Sequence, residues 1–87
     1  MTAWYVYIAE GNDGSFYTGV SKDPERRVKE HNSSSNGSKW ARGRRPLKLR
    51  ALYEAGRTRG EAQKEEAYIK TLSHAEKEEL VASWKIP

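Results

Sequence analysis

Two short runs dense in Val, Ile, Phe and Tyr, residues 3–10 and 15–20, flank Gly11-Asn12-Asp13-Gly14. Strand-forming residues on either side of a Gly/Asn/Asp turn predict a β-hairpin. The next stretch, SKDPERRVKEHN, carries a helix start: Asp23 can accept from the free amides, and Pro24 suits the first helical position. That helix is expected to run to about Asn32 and to stop in NSSSNGS, a loop by composition. In LKLRALYE, Leu47, Leu49, Ala51 and Tyr53 alternate with Lys48 and Arg50, which predicts a third strand with the four apolar side chains on one face. TRGE and SHAE each match the Ser/Thr-x-x-Glu capping box. Thr58 and Ser73 thus open two further helices, over 59–71 and 74–83, with Trp84 closing the core behind the second. The expected architecture is a single α+β domain over residues 1–87. A three-stranded antiparallel sheet is flanked by helices in the order β-β-α-β-α-α.

Composition narrows what such a domain can rely on. At 87 residues and 36 % apolar content the core is thin. Small domains compensate with disulfides, a structural metal or a partner. Cysteine is absent, and His31 and His74 alone cannot build a structural zinc site. No apolar run approaches the roughly 20 residues that span a bilayer, and Glu10 and Asp13 interrupt any leader-like pattern. A soluble, cytoplasmic protein is therefore expected, monomeric or weakly homodimeric. The net charge of +4 is unevenly spread: +6 over residues 1–60 and −2 over the remainder. Residues 39–50, KWARGRRPLKLR, hold six basic side chains and no acidic one. Such a block suits a polyanion, although a solvated loop explains a basic run equally well.

Candidate chemistry gathers in the first half. Arg27 and His31 are four apart and share a helix face, which on its own favours a surface pair. Their setting changes the weighing. Tyr7 precedes a turn, Tyr17-Thr18-Gly19 follows it, Arg27 comes eight residues past Gly19, and Glu66 sits in the later EAQKEEAYIKTL. With YTG, DPERRVKEHN, RGRRP and EEAYIKTLSHAEK in this order and spacing, the chain closely resembles the GIY-YIG nuclease superfamily. The likeness is to its small stand-alone YhbQ-like (UPF0213-type) branch, from Trp4 to about Trp84.

The resemblance implies a site. YVY stands where the superfamily has Gly-Ile-Tyr, which matches its first tyrosine to Tyr7; YTG stands for Tyr-Ile-Gly, which matches the second to Tyr17. Its catalytic arginine matches Arg27 and its histidine His31. Its metal-binding glutamate matches Glu66 by motif register, while the helical wheel leaves Glu65 open. The glycine of the first motif is replaced by Tyr5, which is expected to pack on the sheet face opposite Tyr7. The activity implied is a Mg²⁺- (or Mn²⁺-) dependent endonuclease acting on DNA before RNA, with branched, flapped or single-stranded repair and recombination intermediates as substrates. One carboxylate with water and phosphate oxygens is a normal shell for Mg²⁺. Arg27 would bring a permanently charged donor fork to the scissile phosphate. Tyr7 is the expected base and Tyr17 its partner, or the reverse; a phenol near pKa 10 needs positive charge beside it for that role. His31 would hold the water, relay the proton or contact phosphate.

Lys39, Arg42, Arg44 and Arg45 then fall beside the site as phosphate-positioning groups. Trp40 either stacks on an unpaired base or pins its loop to the core. The alternative function is a nucleic-acid-binding module that cuts poorly or only with a partner. A third, an interaction domain whose basic loop meets an acidic protein, leaves the tyrosine, arginine and glutamate set unexplained.

Overall fold

The structure is a computed structural model that describes residues 3–33 and 43–83. Strands β1 (Trp4–Glu10) and β2 (Phe16–Ser21) form the expected hairpin. They are followed by α1 (Pro24–Ser33), β3 (Lys48–Gly56), α2 (Arg59–Lys70) and α3 (His74–Ser83). The sheet is antiparallel with β1 at its centre, in the order β2-β1-β3.

Local chemistry sets the boundaries. In the hairpin turn the Asp13 carboxylate accepts from the Ser15 N–H at 3.0 Å. Gly14 there adopts φ +83°, a conformation that side chains resist. Asp23 Oδ1 accepts from the Arg26 N–H at 3.2 Å and opens α1. Thr58 and Glu61 close a reciprocal capping box at the start of α2. Ser73 and Glu76 exchange the same pair of bonds at the start of α3.

Each face of the sheet carries helices. Val6, Ile8 and Ala51 pack with Ala62 and Ile69 of α2 and Val81 of α3. On the other face Tyr7, Ala9 and Leu47 pack with Val28 of α1. A fully buried Ile8 or Ile69 stabilises by about 1.5–3 kcal/mol, so these few side chains hold much of a small fold.

Two expectations about faces need correction. Ile8 is opposite Ala51 but Ala9 is opposite Leu49, so Arg50 is an extra residue in a β-bulge. Leu47 and Leu49 consequently join the α1 face, while Ala51 and Tyr53 join the α2–α3 face. Tyr5 does not lie opposite Tyr7: β1 pairs with β2 without interruption through Tyr5↔Ser21 and Tyr7↔Gly19, and residues two apart on a strand share a face. Trp84 lies outside the described residues.

Candidate active site

Register brings the two motif tyrosines together. Tyr7 faces Gly19, and Ala9 faces Tyr17, all on the α1 side of the sheet. The Tyr7 and Tyr17 ring centroids are 6.1 Å apart. Tyr17 in turn meets His31 of α1 edge-on, at 5.3 Å. Gly19 makes room for this: a Cβ there would lie 2.7 Å from Cζ and the hydroxyl of Tyr7 and 2.9 Å from the Tyr17 ring. What approaches this glycine is the pair of phenols.

Arg27, one helical turn before His31, reaches the Tyr7 hydroxyl and also pairs with Glu30 at 3.3 Å. Glu66 comes from α2, half-buried, with Oε2 3.5 Å from Lys70 Nζ. Its charge acts on the Tyr7 phenol. Glu65 turns elsewhere and accepts from the Tyr53 hydroxyl at 2.8 Å. Of the two adjacent carboxylates, Glu66 is therefore the one whose field reaches Tyr7. Tyr7, Tyr17, Arg27, His31 and Glu66 thus converge from four separate elements.

Burial decides the protonation states. Tyr7 is 1 % exposed, and its pKa is driven well above the ordinary 10.0, first by desolvation and then by Tyr17, with Glu66 adding to the rise and Arg27 opposing it. His31 is fully buried, and its pKa is pulled below 6.5, chiefly by desolvation and then by Arg27 and Arg45, against the pull of Glu30. The imidazole is thus neutral at pH 7.

Among the described residues no group of three or more His, Asp and Glu could hold a metal ion. A single carboxylate nevertheless suits an ion that keeps most of its water and takes phosphate oxygen, as Mg²⁺ does. Glu66 is the side chain that would hold it.

The basic segment is more structural than its composition suggests. Arg44 Nε lies 3.2 Å from Asp13 Oδ2, and the Arg44 carbonyl accepts from the Asn12 N–H at 2.8 Å. The Arg45 carbonyl accepts from Asn12 Nδ2 at 2.6 Å, while Arg45 Nε donates to the His31 carbonyl. Arg44 is thus tethered to the hairpin turn, and Arg45 to the end of α1, where it contributes to the electrostatics of His31. Lys39, Trp40 and Arg42 lie outside the described residues.

Sequence reasoning overlooked Asn32. Its side chain donates to the Leu47 carbonyl at 3.0 Å and accepts from the Leu47 N–H at 2.7 Å. This pair of hydrogen bonds fixes the end of α1, and with it His31, to the start of β3. The available signal was an amide in a last helical turn, where Asn has poor helix propensity and readily bonds backbone instead.

Residues 3–79 match the model of the GIY-YIG catalytic domain. A UPF0213 protein of Desulfotalea psychrophila is 47 % identical over 79 residues, covering 91 % of this chain and 71 % of the relative. One from Halobacterium salinarum is 46 % identical over 76 residues, covering 87 % and 96 %. The solution NMR structure of a UPF0213 protein from Bacillus halodurans superposes with a TM-score of 0.55 at 44 % identity, over 91 % of this chain and 82 % of that one. That of an E. faecalis protein gives 0.63 at 39 % identity, over 95 % and 86 %.

Proposed function

From the premise that this chain belongs to the GIY-YIG family, we propose that it is an endonuclease that hydrolyses phosphodiester bonds in DNA with the help of one Mg²⁺ or Mn²⁺ ion. The observation that carries the reading is the convergence of Tyr7, Tyr17, Arg27, His31 and Glu66 in one cluster.

Hydrolysis forms one bond from water oxygen to phosphorus and breaks the bond to the leaving oxygen. Arg27 places its guanidinium against the phosphoryl oxygens, where negative charge grows in the transition state. Tyr7, kept protonated by burial, serves as a hydroxyl donor that orients water or phosphate, not as the base. Tyr17 is less buried and touches the neutral His31, so the water's proton is taken up at that pair. Of the two assignments left open by the sequence, this is the reverse one. When bound at Glu66, the divalent ion supplies Lewis acidity and stabilises the leaving oxygen. Branched, flapped or single-stranded repair intermediates are the substrates we propose, with the protein acting in the cytoplasm as a monomer or weak homodimer. No helix among the described residues is long and apolar enough to cross a membrane.

One observation favours a second reading, a nucleic-acid-binding module that cuts only with a partner: Tyr7, whose hydroxyl has to meet water or phosphate, is buried. A cleavage assay with Mg²⁺ on plasmid, single-stranded, flap and four-way-junction DNA separates the two. Cleavage by the wild type that is lost in Glu66→Ala supports the nuclease. Binding without cleavage by either supports the module.

A further inference from the structure

Among the described basic side chains, five pair with carboxylates and two share one aromatic ring. Arg26, Arg27, Arg44, Arg50 and Lys70 each pair with a carboxylate. Lys22 and Arg59 behave differently. Lys22 Nζ lies 5.4 Å, and Arg59 Cζ 5.9 Å, from the centroid of the Trp4 ring. Both are exposed, and among the described residues neither forms an ion pair, so a single half-buried indole gathers two uncompensated cations. The ring's negative face offsets part of their repulsion but leaves the charge outward, where a polyanion can meet it.

Position gives this pair a purpose. Lys22 follows the end of β2, the strand that carries Tyr17 and Gly19. Arg59 opens α2 and stands two helical turns before Glu66, on the same side of the helix. Seven residues of helix span about 10 Å, which is about three nucleotide steps of a B-form strand at 3.4 Å each. We propose that Lys22 and Arg59, gathered on Trp4, bind the sugar-phosphate backbone of the nucleic-acid strand a few nucleotides from the phosphate that meets Arg27 and Glu66.

The inference rests on the nuclease reading for its substrate, but its test does not depend on cleavage. In the Glu66→Gln background, without divalent metal, binding of a fluorescein-labelled single-stranded DNA is followed by anisotropy across a KCl series. On a single strand each cation that contacts phosphate contributes about 0.7 to the slope of log affinity against log salt. Lys22→Gln and Arg59→Gln should each lower the slope by about 0.7, and the double variant by about 1.4, whatever the DNA sequence. Lys64→Gln, an exposed change on α2, should leave it unaltered. An unchanged slope in the double variant, or no DNA binding by the parent protein, overturns the proposal. Cleavage by the Glu66-intact protein is scored separately, so a lost nuclease reading and a lost phosphate contact give different results. Circular dichroism of Lys22→Gln, a change at an exposed side chain, guards against loss of fold as the cause.

Discussion

Gly19 lies under the Tyr7 phenol so closely that a single added Cβ would stand 2.7 Å from both Cζ and the hydroxyl oxygen. Because Tyr7 is buried and held by Arg27, its ring has little room to withdraw. Gly19→Ala is therefore expected to cost about 1–3 kcal/mol in stability, in the range of an overpacked core. Cleavage should fall further than stability, since the ring is displaced from its partners. Denaturant melts beside initial rates check this; a variant as stable and active as wild type would mean that the ring yields freely.

Adjacent glutamates should separate cleanly. Glu66 acts on Tyr7, whereas Glu65 is bonded to the Tyr53 hydroxyl. Glu66→Gln is expected to reduce cleavage by about 10²–10³-fold, the scale of removing one electrostatic stabiliser, with the fold intact. Glu65→Gln should change the rate by less than about threefold, since its partner lies outside the cluster. Equal losses in steady-state assays of the two variants would refute the assignment.

The Thr18 hydroxyl is buried at 3 % exposure and has no hydrogen-bond partner among the described residues. It sits on the Ile8 face of the sheet, by direct pairing. Replacing it with a methyl removes an unmet polar group at nearly constant shape. Thr18→Val should therefore stabilise by about 1 kcal/mol, a rise in Tm of roughly 4–8 °C for a domain of this size. Differential scanning calorimetry reads the shift directly; a lower Tm would point to a role for the hydroxyl that its surroundings conceal.

Stability should also fall on both sides of neutrality. The folded pKa of His31 is below 6.5, so the unfolded chain binds more protons as pH falls through that region. The contribution is complete above about pH 6.5 and is lost progressively below it. Tyr53 has the opposite sense: burial first, then its bond to Glu65, raises its pKa above 10.0, so stability declines as pH climbs past 10. Thermal melts from pH 5 to 11 should trace a plateau with two shoulders, and His31→Gln should flatten the acid one.

Much of the backbone plan was readable because it is written in local chemistry. Asp23-Pro24, Thr58 with Glu61 and Ser73 with Glu76 each place a helix start through side chains within four residues. Likewise the hairpin follows from its turn composition. Where reading faltered, the cause lay across the fold. The faces of β3 assumed an unbroken ladder, and the bulge at Arg50 is a property of pairing with β1, invisible in β3 alone. A wheel of α2 could not separate Glu65 from Glu66, because the distinction lies in what faces them, Tyr53 or Tyr7. The Asn32 clamp joins residues fifteen apart through backbone atoms that carry no sequence signature.

That bulge has a bearing on how the chain can vary in length. On either side of Arg50 the pleat is already in phase: Leu49 belongs to one layer, Ala51 to the other, as consecutive residues should. Excising Arg50 would close the ladder with every buried neighbour in its present place, at the expense of one exposed ion pair with Glu10. An insertion elsewhere in β3 would turn half the strand inside out. A single-residue deletion is normally ruinous in a sheet; here it should leave a folded protein, with amide dispersion in a ¹⁵N-HSQC spectrum like that of wild type. A collapsed spectrum would show that the bend itself, and not only the phase, is required.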